Sequence, residues 1–465
     1  MKKTFGPTHA LILIVLFTLI LTPRLLAGYL ELRSAVRYDA AGNNAAAAQA
    51  YASAARRIPW MPSLWEKAGM KAIQDREEEN AIAFFNKAIE RQAISELGWL
   101  YLGMAYQKRG ELLPAMKAWE EALPLAEAYS NLASAERSMG DFVEAIEYWR
   151  TYITLEPENA AAHYSLGLLL TATSPELALP ELMQADKLSP DLDITVQTLR
   201  TALNSEFLSD DRAYQFLLSG RALGALGEWD LAVEAFRNAI AGRVNYAEAW
   251  AWLGEAEQQQ GQDGNFEIEQ ALTFGPESAM VQGLNGLYLQ RKGEPDAALA
   301  AFQKAADMEP DNPGWQMALG RASEQTGNLV AAQGYYLQAV EMAPADVSSW
   351  RALAAFSVTN DVDVGGTGLP AARKLIDLAP NDWQSYDLAG QAEFLLEDYS
   401  AAEAYLKKAV QMSPTQAASA LHLGLVYMQA GDRSPAYAYL NLARTFDPNG
   451  PFGWQAGRLL EQYFP

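Results

Sequence analysis

Apolar residues return along this chain at helical intervals of three and four, in paired segments separated by glycine, and the stretch from Trp99 to Ala122 shows the pattern most clearly. Trp99, Leu102, Gly103 and Tyr106 fall on one segment, Gly110 marks a turn, and Ala115, Trp119 and Ala122 fall on a second. The spacing predicts two helices folded back as a hairpin. Gly103, Ala115 and Ala122 stand where the helices must approach closely, and Trp99, Tyr106 and Trp119 supply the bulk that fills the space between them.

The same positions recur. Trp65, Gly69, Ala81 and Ala88 precede Trp99, Gly103, Ala115 and Ala122 by 34 residues, and Ala47, Tyr51 and Ala54 precede Ala81, Phe85 and Ala88 by the same interval. A fourth unit follows with Tyr129, Leu132, Ala133, Gly140, Ala145, Trp149 and Pro157. A fifth, with Leu166, Gly167, Ala178, Ala185 and Pro190, has a shortened inner turn. From Asp191 to Arg212 the period breaks, and only Ile194 to Leu203 reads as a helix. Register resumes with Gly220, Gly227, Ala232, Phe236 and Ala239, then Trp250, Gly254 and Gly261, whose second helix is short and ends by Ala271. Gly286, Gly293, Ala298, Phe302, Ala305 and Pro310 return as Gly320, Gly327, Ala332, Tyr336, Ala339 and Pro344. A degenerate unit has Trp350, Leu353 and Ala354, a loop over 360–368 expected to be a flexible insertion, and a helix over 371–378. Gly390, Ala402, Ala409 and Pro414 then recur as Gly424, Ala436, Ala443 and Pro448. A last helix over 451–464, with Gln455, Arg458, Glu461 and Gln462, suits the polar cap that a repeat stack needs.

This pattern resembles the tetratricopeptide repeat, over about residues 28 to 465 and about eleven or twelve units. The resemblance implies an all-α, right-handed superhelical solenoid of stacked hairpins, preceded by one apolar helix at the amino terminus. It implies blocks over 28–190 and 213–465, with an out-of-register connector at 191–212. In this family the first helices line a groove that holds a peptide. One variety clamps a terminal carboxylate with Lys and Asn, but the corresponding places here read Leu100, Met104, Tyr164, Leu168, Arg321, Arg351, Leu421 and Leu425. The clamp is absent. Leu100, Met104, Tyr164, Leu168, Leu421, Leu425 and Met428 are instead expected either to form apolar patches for a partner peptide or to be consumed by packing between repeats.

The start of the chain differs. Lys2 and Lys3 precede an apolar run from Ala10 to Leu21 in which Thr18 is the sole polar residue, followed by Pro23 and Arg24. The run suits the core of a secretory signal, about 7–15 residues, and is short for the ~20 of a membrane helix. Ala27 fits the last position before a cleavage site, whereas Leu25 stands where a small residue is wanted. If Arg24 snorkels to the interface, residues 1–27 act as an uncleaved signal anchor. The expectation is a bacterial, membrane-anchored chain with its repeats outside the cytoplasm. Secretion after cleavage is the alternative.

Charge and composition narrow the chemistry. Lys and Arg number 35 against 57 Asp and Glu, a net charge of −22, which repels phosphate backbones and excludes nucleic acid as an expected partner. Cysteine is absent, so no thiol nucleophile or thiolate metal site is available. The three histidines, His9, His163 and His422, are far apart in sequence and read as packing or surface residues. The 360–368 loop lacks the closing Glu of a calcium loop and the Lys-Ser/Thr of a phosphate loop, and Gln262 to Asn265 reads as a turn. No metal or cofactor is implied, and no segment outside the repeats is long enough for a catalytic domain. The functional expectation is a non-enzymatic scaffold for protein or peptide partners, tethered at the membrane. The alternatives are a cytoplasm-facing regulator of envelope biosynthesis or assembly, or an accessory subunit of a glycosyltransferase or secretion complex.

Overall fold

Helix follows helix along the whole path, because each apolar stripe is bounded by a residue that starts or stops a helix. The computed structural model describes the backbone of residues 7–206 and 211–464, and the side chains of residues 22–204 and 211–464. Among these no strand occurs. Two compact units divide the chain, one ending at Gly242 and the other beginning at Arg243.

The first unit contains α1 (Pro7–Ala40), α2 (Asn44–Arg57), α3 (Ser63–Gln74), α4 (Glu78–Glu90), α5 (Glu96–Lys108), α6 (Leu112–Glu121), α7 (Ala126–Met139), α8 (Phe142–Leu155), α9 (Ala160–Thr173), α10 (Ala178–Leu188), α11 (Asp193–Glu206), α12 (Arg212–Ala225) and α13 (Trp229–Gly242). The second contains α14 (Ala247–Gln259), α15 (Asn265–Phe274), α16 (Ala279–Arg291), α17 (Pro295–Met308), α18 (Pro313–Gln325), α19 (Leu329–Met342), α20 (Val347–Asn360), α21 (Leu369–Leu378), α22 (Trp383–Leu395), α23 (Tyr399–Met412), α24 (Ala417–Gln429), α25 (Arg433–Phe446) and α26 (Pro451–Tyr463). All but α11 and α26 pair as consecutive hairpins, which stack on others of their own unit.

The 34-residue markers are the residues that let a hairpin close. A β-carbon on Gly103 would lie 2.3 Å from the Trp119 indole nitrogen, and one on Gly286 would lie 2.5 Å from the Phe302 ring. Each glycine therefore seats the aromatic ring sixteen residues later, and Trp119 and Phe302 are fully buried. Side chains satisfy the helix starts: Ser95 accepts from the Gly98 amide at 3.2 Å, Asn159 from Ala162 at 3.0 Å and Asp398 from Ala401 at 3.0 Å. The inner turns need a left-handed residue, supplied by Gly110 (φ 78°) and Gly431 (φ 82°). One period earlier the same turns carry Arg76 and Glu397, both at φ 62°.

The structure adds detail to three stretches of the chain. The 360–368 segment is not a loose insertion: Asp361 and Asp363 adopt left-handed conformations, and Val364–Gly368 form a wide helical turn with Val364 buried. The Thr367 amide donates to the Asp363 carbonyl at 2.8 Å. At the amino terminus, α1 runs without interruption from Pro7 into the first hairpin, with Pro23 inside it. Lys2, Lys3 and the side chains of His9 and of the Ala10–Leu21 run lie outside the described residues. Among the described residues no helix is long and apolar enough to cross a membrane.

The third concerns the register break. Its helix, α11, packs on α10 and α12, and so occupies the place on α10 where the next hairpin would have stacked. The hairpin of α12 and α13 packs on α9 instead. The compact unit accordingly continues through residues 191–212 and ends after α13.

Candidate functional site

Each first helix turns one side toward its own second helix, and chemistry can be offered only by the other side. On α9, Gly167 faces Leu182 of α10. His163 lies on the same side: its Nδ1 is 2.6 Å from Glu181 and its Nε2 is 3.0 Å from the Pro157 carbonyl. Both ring nitrogens are therefore occupied, and His163 is a packing residue. The Pro157 contact belongs to a recurrent junction. Trp250 donates to the Val244 carbonyl (2.7 Å), Gln282 to Pro276 (2.8 Å), Trp350 to Pro344 (2.9 Å) and Tyr386 to Pro380 (3.2 Å), always six residues back.

The opposite side of α9 is covered. Leu168, Leu169 and Ala172 are buried, and Asn238 of α13 donates to the Ala172 carbonyl at 3.2 Å. Arg137, near the end of α7, clasps the turn between α12 and α13. It donates from Nε to Asp230 at 2.9 Å and also binds Glu228. Burial disfavours the charge of Arg137, but the bonds to Asp230 and Glu228 outweigh it and hold the guanidinium protonated beyond its ordinary range. Tyr164 lies close enough to feel both: burial and the Glu228 charge raise its pKa, while Arg137 opposes them.

This placement decides which of the seven expected contact residues can meet a partner. Leu100, Leu168 and Leu421 are buried in packing between helices and cannot line a patch, because the stripe that closes the hairpins extends to them. Met104, Tyr164, Leu425 and Met428 remain half-buried. Met104 and Tyr164 belong to the first unit, Leu425 and Met428 to the second.

In the second unit, the first helices are linked to one another by polar pairs. Arg291 of α16 grips Glu255 of α14, with one nitrogen at 2.6 Å, and Asn360 of α20 donates to Glu324 of α18 at 2.6 Å. Arg351 of α20 reaches Asp382 at the start of α22 at 3.1 Å. His422 of α24 lies 3.0 Å from Asp387 of α22. Glu255 and Asp387 are buried and depend on these partners. Between α18 and α20 a cleft of about 400 Å³ is lined by Met317, Arg321, Glu324, Tyr336 and Arg351. Burial and the neighbouring Glu324 push the Tyr336 phenol above its ordinary range, so it remains a hydroxyl donor to Glu324. Further along, Phe394, Leu395, Leu425, Gln391, His422 and Gln455 surround a pocket of about 230 Å³. No group of three or more acidic or histidine side chains suited to a metal ion occurs among the described residues.

Sequence reading noted Arg321 and Arg351 but missed the Arg137 clasp and the buried Asp387. The first pairs residues 91 and 93 positions apart, which no local pattern encodes. The links between first helices do leave a trace, because Glu255–Arg291 and Glu324–Asn360 share a separation of 36 residues.

Family models described as tetratricopeptide repeat match residues 130–189, 217–279, 284–347 and 367–417, and a second model of the same description matches 394–456. No curated protein matches the chain. The APC/C hetero-tetramer Cut9–Hcn1 is similar in structure, with 15% identity, a TM-score of 0.47 and coverage of 93% of this chain and 95% of that one. Yeast Tom70 has 14% identity and a TM-score of 0.43, covering 86% of this chain and 94% of its own. MamA from Desulfovibrio magneticus RS-1, from residue 41 to its end, has 20% identity and a TM-score of 0.34, covering 37% of this chain and 95% of its own.

Proposed function

The chain belongs to the tetratricopeptide repeat family, and from that membership we propose that it is a non-enzymatic scaffold whose first helices hold protein or peptide partners. One observation carries the reading. Within the second unit, two clefts open on the sides of α18, α20, α22 and α24, the second of them walled at one edge by α26. Arginine, tyrosine, leucine and glutamine side chains are held there in fixed positions, as recognition without catalysis requires. The acidic surface disfavours nucleic acid.

A photo-crosslinking amino acid tests this when placed at Thr359 or Leu425 in the clefts and, as a control, at outward-facing Val143. Discrete protein adducts from the first two positions, and none from Val143, are the expected result. Equal, diffuse labelling from all three would refute a binding groove.

We further propose that residues 1–27 tether the scaffold to a bacterial membrane with its repeats outside the cytoplasm. The support is the order of Lys2, Lys3 and the Ala10–Leu21 run. Tethering raises the effective concentration of membrane-bound clients. Protease treatment of intact cells, with the mass of the extracted chain, tests this: digestion from outside and retention of residues 1–27 are expected. Protection until the membrane is opened would instead indicate a cytoplasm-facing regulator of envelope assembly, and a chain beginning at Gly28 a secreted protein.

A further inference from the structure

We infer that Arg24, Ser53, Arg56 and Arg57, where α1 meets the end of α2, hold the phosphate of an anionic phospholipid headgroup at the membrane surface. The inference rests on the tether reading, though on neither orientation of it. A pocket of about 580 Å³ lies there, lined by these four residues and Pro23. Gly28 lets the end of α2 come this close to α1, since a β-carbon on it would lie 2.8 Å from Ile58 and 2.9 Å from the Arg57 β-carbon.

The charge of this corner opposes that of the chain. Residues 22–60 carry five arginines and no lysine against Glu31 and Asp39, whereas the whole chain has a net charge of −22. Arg57 Nε is paired with Glu31 at 3.2 Å, and Asp39 with Lys71 at 2.6 Å. Arg24 and Arg56 have no carboxylate partner among the described residues: Arg24 donates to the Arg56 carbonyl at 3.3 Å, and Arg56 to the Ser53 hydroxyl at 3.1 Å. Each bond uses one terminal nitrogen, so both charges and the other N–H groups are left for a ligand. A guanidinium stays protonated, and its fork of donors matches the oxygens of a phosphate. The Ser53 hydroxyl, accepting from Arg56, still has a proton to donate.

Position along α1 decides whose phosphate this is. Arg24 stands three residues beyond Leu21, where the apolar run ends, or about 4.5 Å along the helix axis. With the run in hydrocarbon, that is headgroup depth. Apolar surface continues beside the arginines: Leu26, Tyr29 and Leu30 of α1 are exposed, and so is Trp60 just after α2. Tyrosine and tryptophan favour the membrane–water interface. A free phosphate or an acidic peptide has no use for these apolar neighbours, whereas a lipid brings its chains together with its phosphate. An acidic protein is otherwise repelled by anionic lipid, so a preference for it must come from a local group.

The test uses the full chain in neutral detergent micelles, titrated with phosphatidylglycerol or phosphatidylcholine of the same acyl chains, with bound lipid read by native mass spectrometry. Phosphatidylglycerol is expected to bind about 25-fold more tightly, about fivefold for each of the two arginines without a carboxylate. Arg24→Gln and Arg56→Gln, both at exposed positions, should each remove about fivefold of that preference. Arg24→Lys, which keeps the charge, should retain most of it, and Arg150→Gln, an equal change of net charge on α8, should retain all of it. Equal binding of the two lipids, or a preference that survives both glutamine variants, would overturn the site. Tighter binding of inorganic phosphate or of a hexaglutamate peptide than of phosphatidylglycerol would overturn the lipid as its occupant. A chain that begins at Gly28 in cells would sink the tether and remove Arg24 with it, whereas an intact anchored chain without the preference sinks the headgroup site alone.

Discussion

The first helix α9 is buried by a hairpin from later in the same unit, whereas α18, α20, α22 and α24 are crossed within their unit by short polar links between neighbours and, beside α24, by the closing helix α26. The repeats on both sides of the comparison are built alike: Gly167 of α9, Gly320 of α18, Gly390 of α22 and Gly424 of α24 each seat a large side chain of the partner helix, Leu182, Tyr336, Leu406 and Leu440. What differs is one helix without a partner. Where α11 takes the next stacking place on α10, the following hairpin turns to α9 and fills the side a ligand would have used. Where the stacking continues in register, that side stays open. A repeat family thus sets its binding capacity as much by breaks in its period as by the side chains it displays.

The largest expected effect tests whether the two units share a core. Trp119→Ala in the first and Phe302→Ala in the second each vacate the space of a fully buried ring and should each cost about 3–5 kcal/mol, measured by denaturant unfolding. Native-state hydrogen exchange should place the loss in α5 to α8 for the former and α16 to α19 for the latter. A much smaller cost at one site would mean that the repeats are not equivalent.

Next is the clasp, which distinguishes the units. Arg137→Ala should cost about 1–2 kcal/mol, less than a fully buried ion pair because the side chain is 25% exposed. Its particular signature is faster amide exchange on α9 at Leu169 to Ala172. Unchanged exchange there would show that the α12–α13 hairpin needs no clasp.

A smaller effect has the opposite sign. Arg76 in the first unit and Glu397 in the second hold left-handed turns that glycine holds one period later, so Arg76→Gly and Glu397→Gly should each stabilise the chain by about 0.5–1 kcal/mol. Thermal melts that fall instead would show that these side chains make contacts worth more than the strain.

The smallest is a pH effect at one helix start in the second unit. The Ser349 hydroxyl donates to the Asp346 carboxylate at 2.6 Å and its amide at 2.8 Å, and these bonds hold the pKa below the ordinary 3.8. A depressed carboxylate contributes its stability above the unfolded value and loses it as pH falls through the folded one. Below about pH 4, helicity should therefore decline by an increment of under ~1 kcal/mol that D346N, still able to cap, does not show. Identical acid profiles for the two chains would remove Asp346 as the source.

The fold was legible because it is local and repeated. Gly103 and Trp119 face each other across one hairpin, and most units restate a glycine against a large side chain about sixteen residues on, so the period identified the hairpins, the short α15 and the closing α26. The site was legible only in part. Leu168 occupies the same register as Met104 and Leu425, and Leu100 and Leu421 the same register as Tyr164, yet only the leucines at 100, 168 and 421 are buried, and a one-dimensional pattern does not separate a residue that packs from one that lines a groove. The covering of α9 depends on contacts such as Asn238 to Ala172, 66 residues apart, and the Arg137 clasp on pairs 91 and 93 apart. The Asp387–His422 pair required the relative rotation of two first helices to be known.

The donor that reaches six residues back has a consequence for how such a chain can grow. His163, Trp250, Gln282, Trp350 and Tyr386 are chemically unlike, yet each bonds a main-chain carbonyl in the segment leading into its own helix. A carbonyl is present whatever residue supplies it. At these five joints the bond therefore uses no upstream side chain, whereas Trp315 reaches the Glu309 carboxylate at 2.8 Å, and in each case a duplicated segment brings its own fastening with it. Lengthening or shortening the array by whole periods needs no matching change in the neighbour it joins, so gene duplication can alter the number of hairpins before selection has begun to alter what they hold.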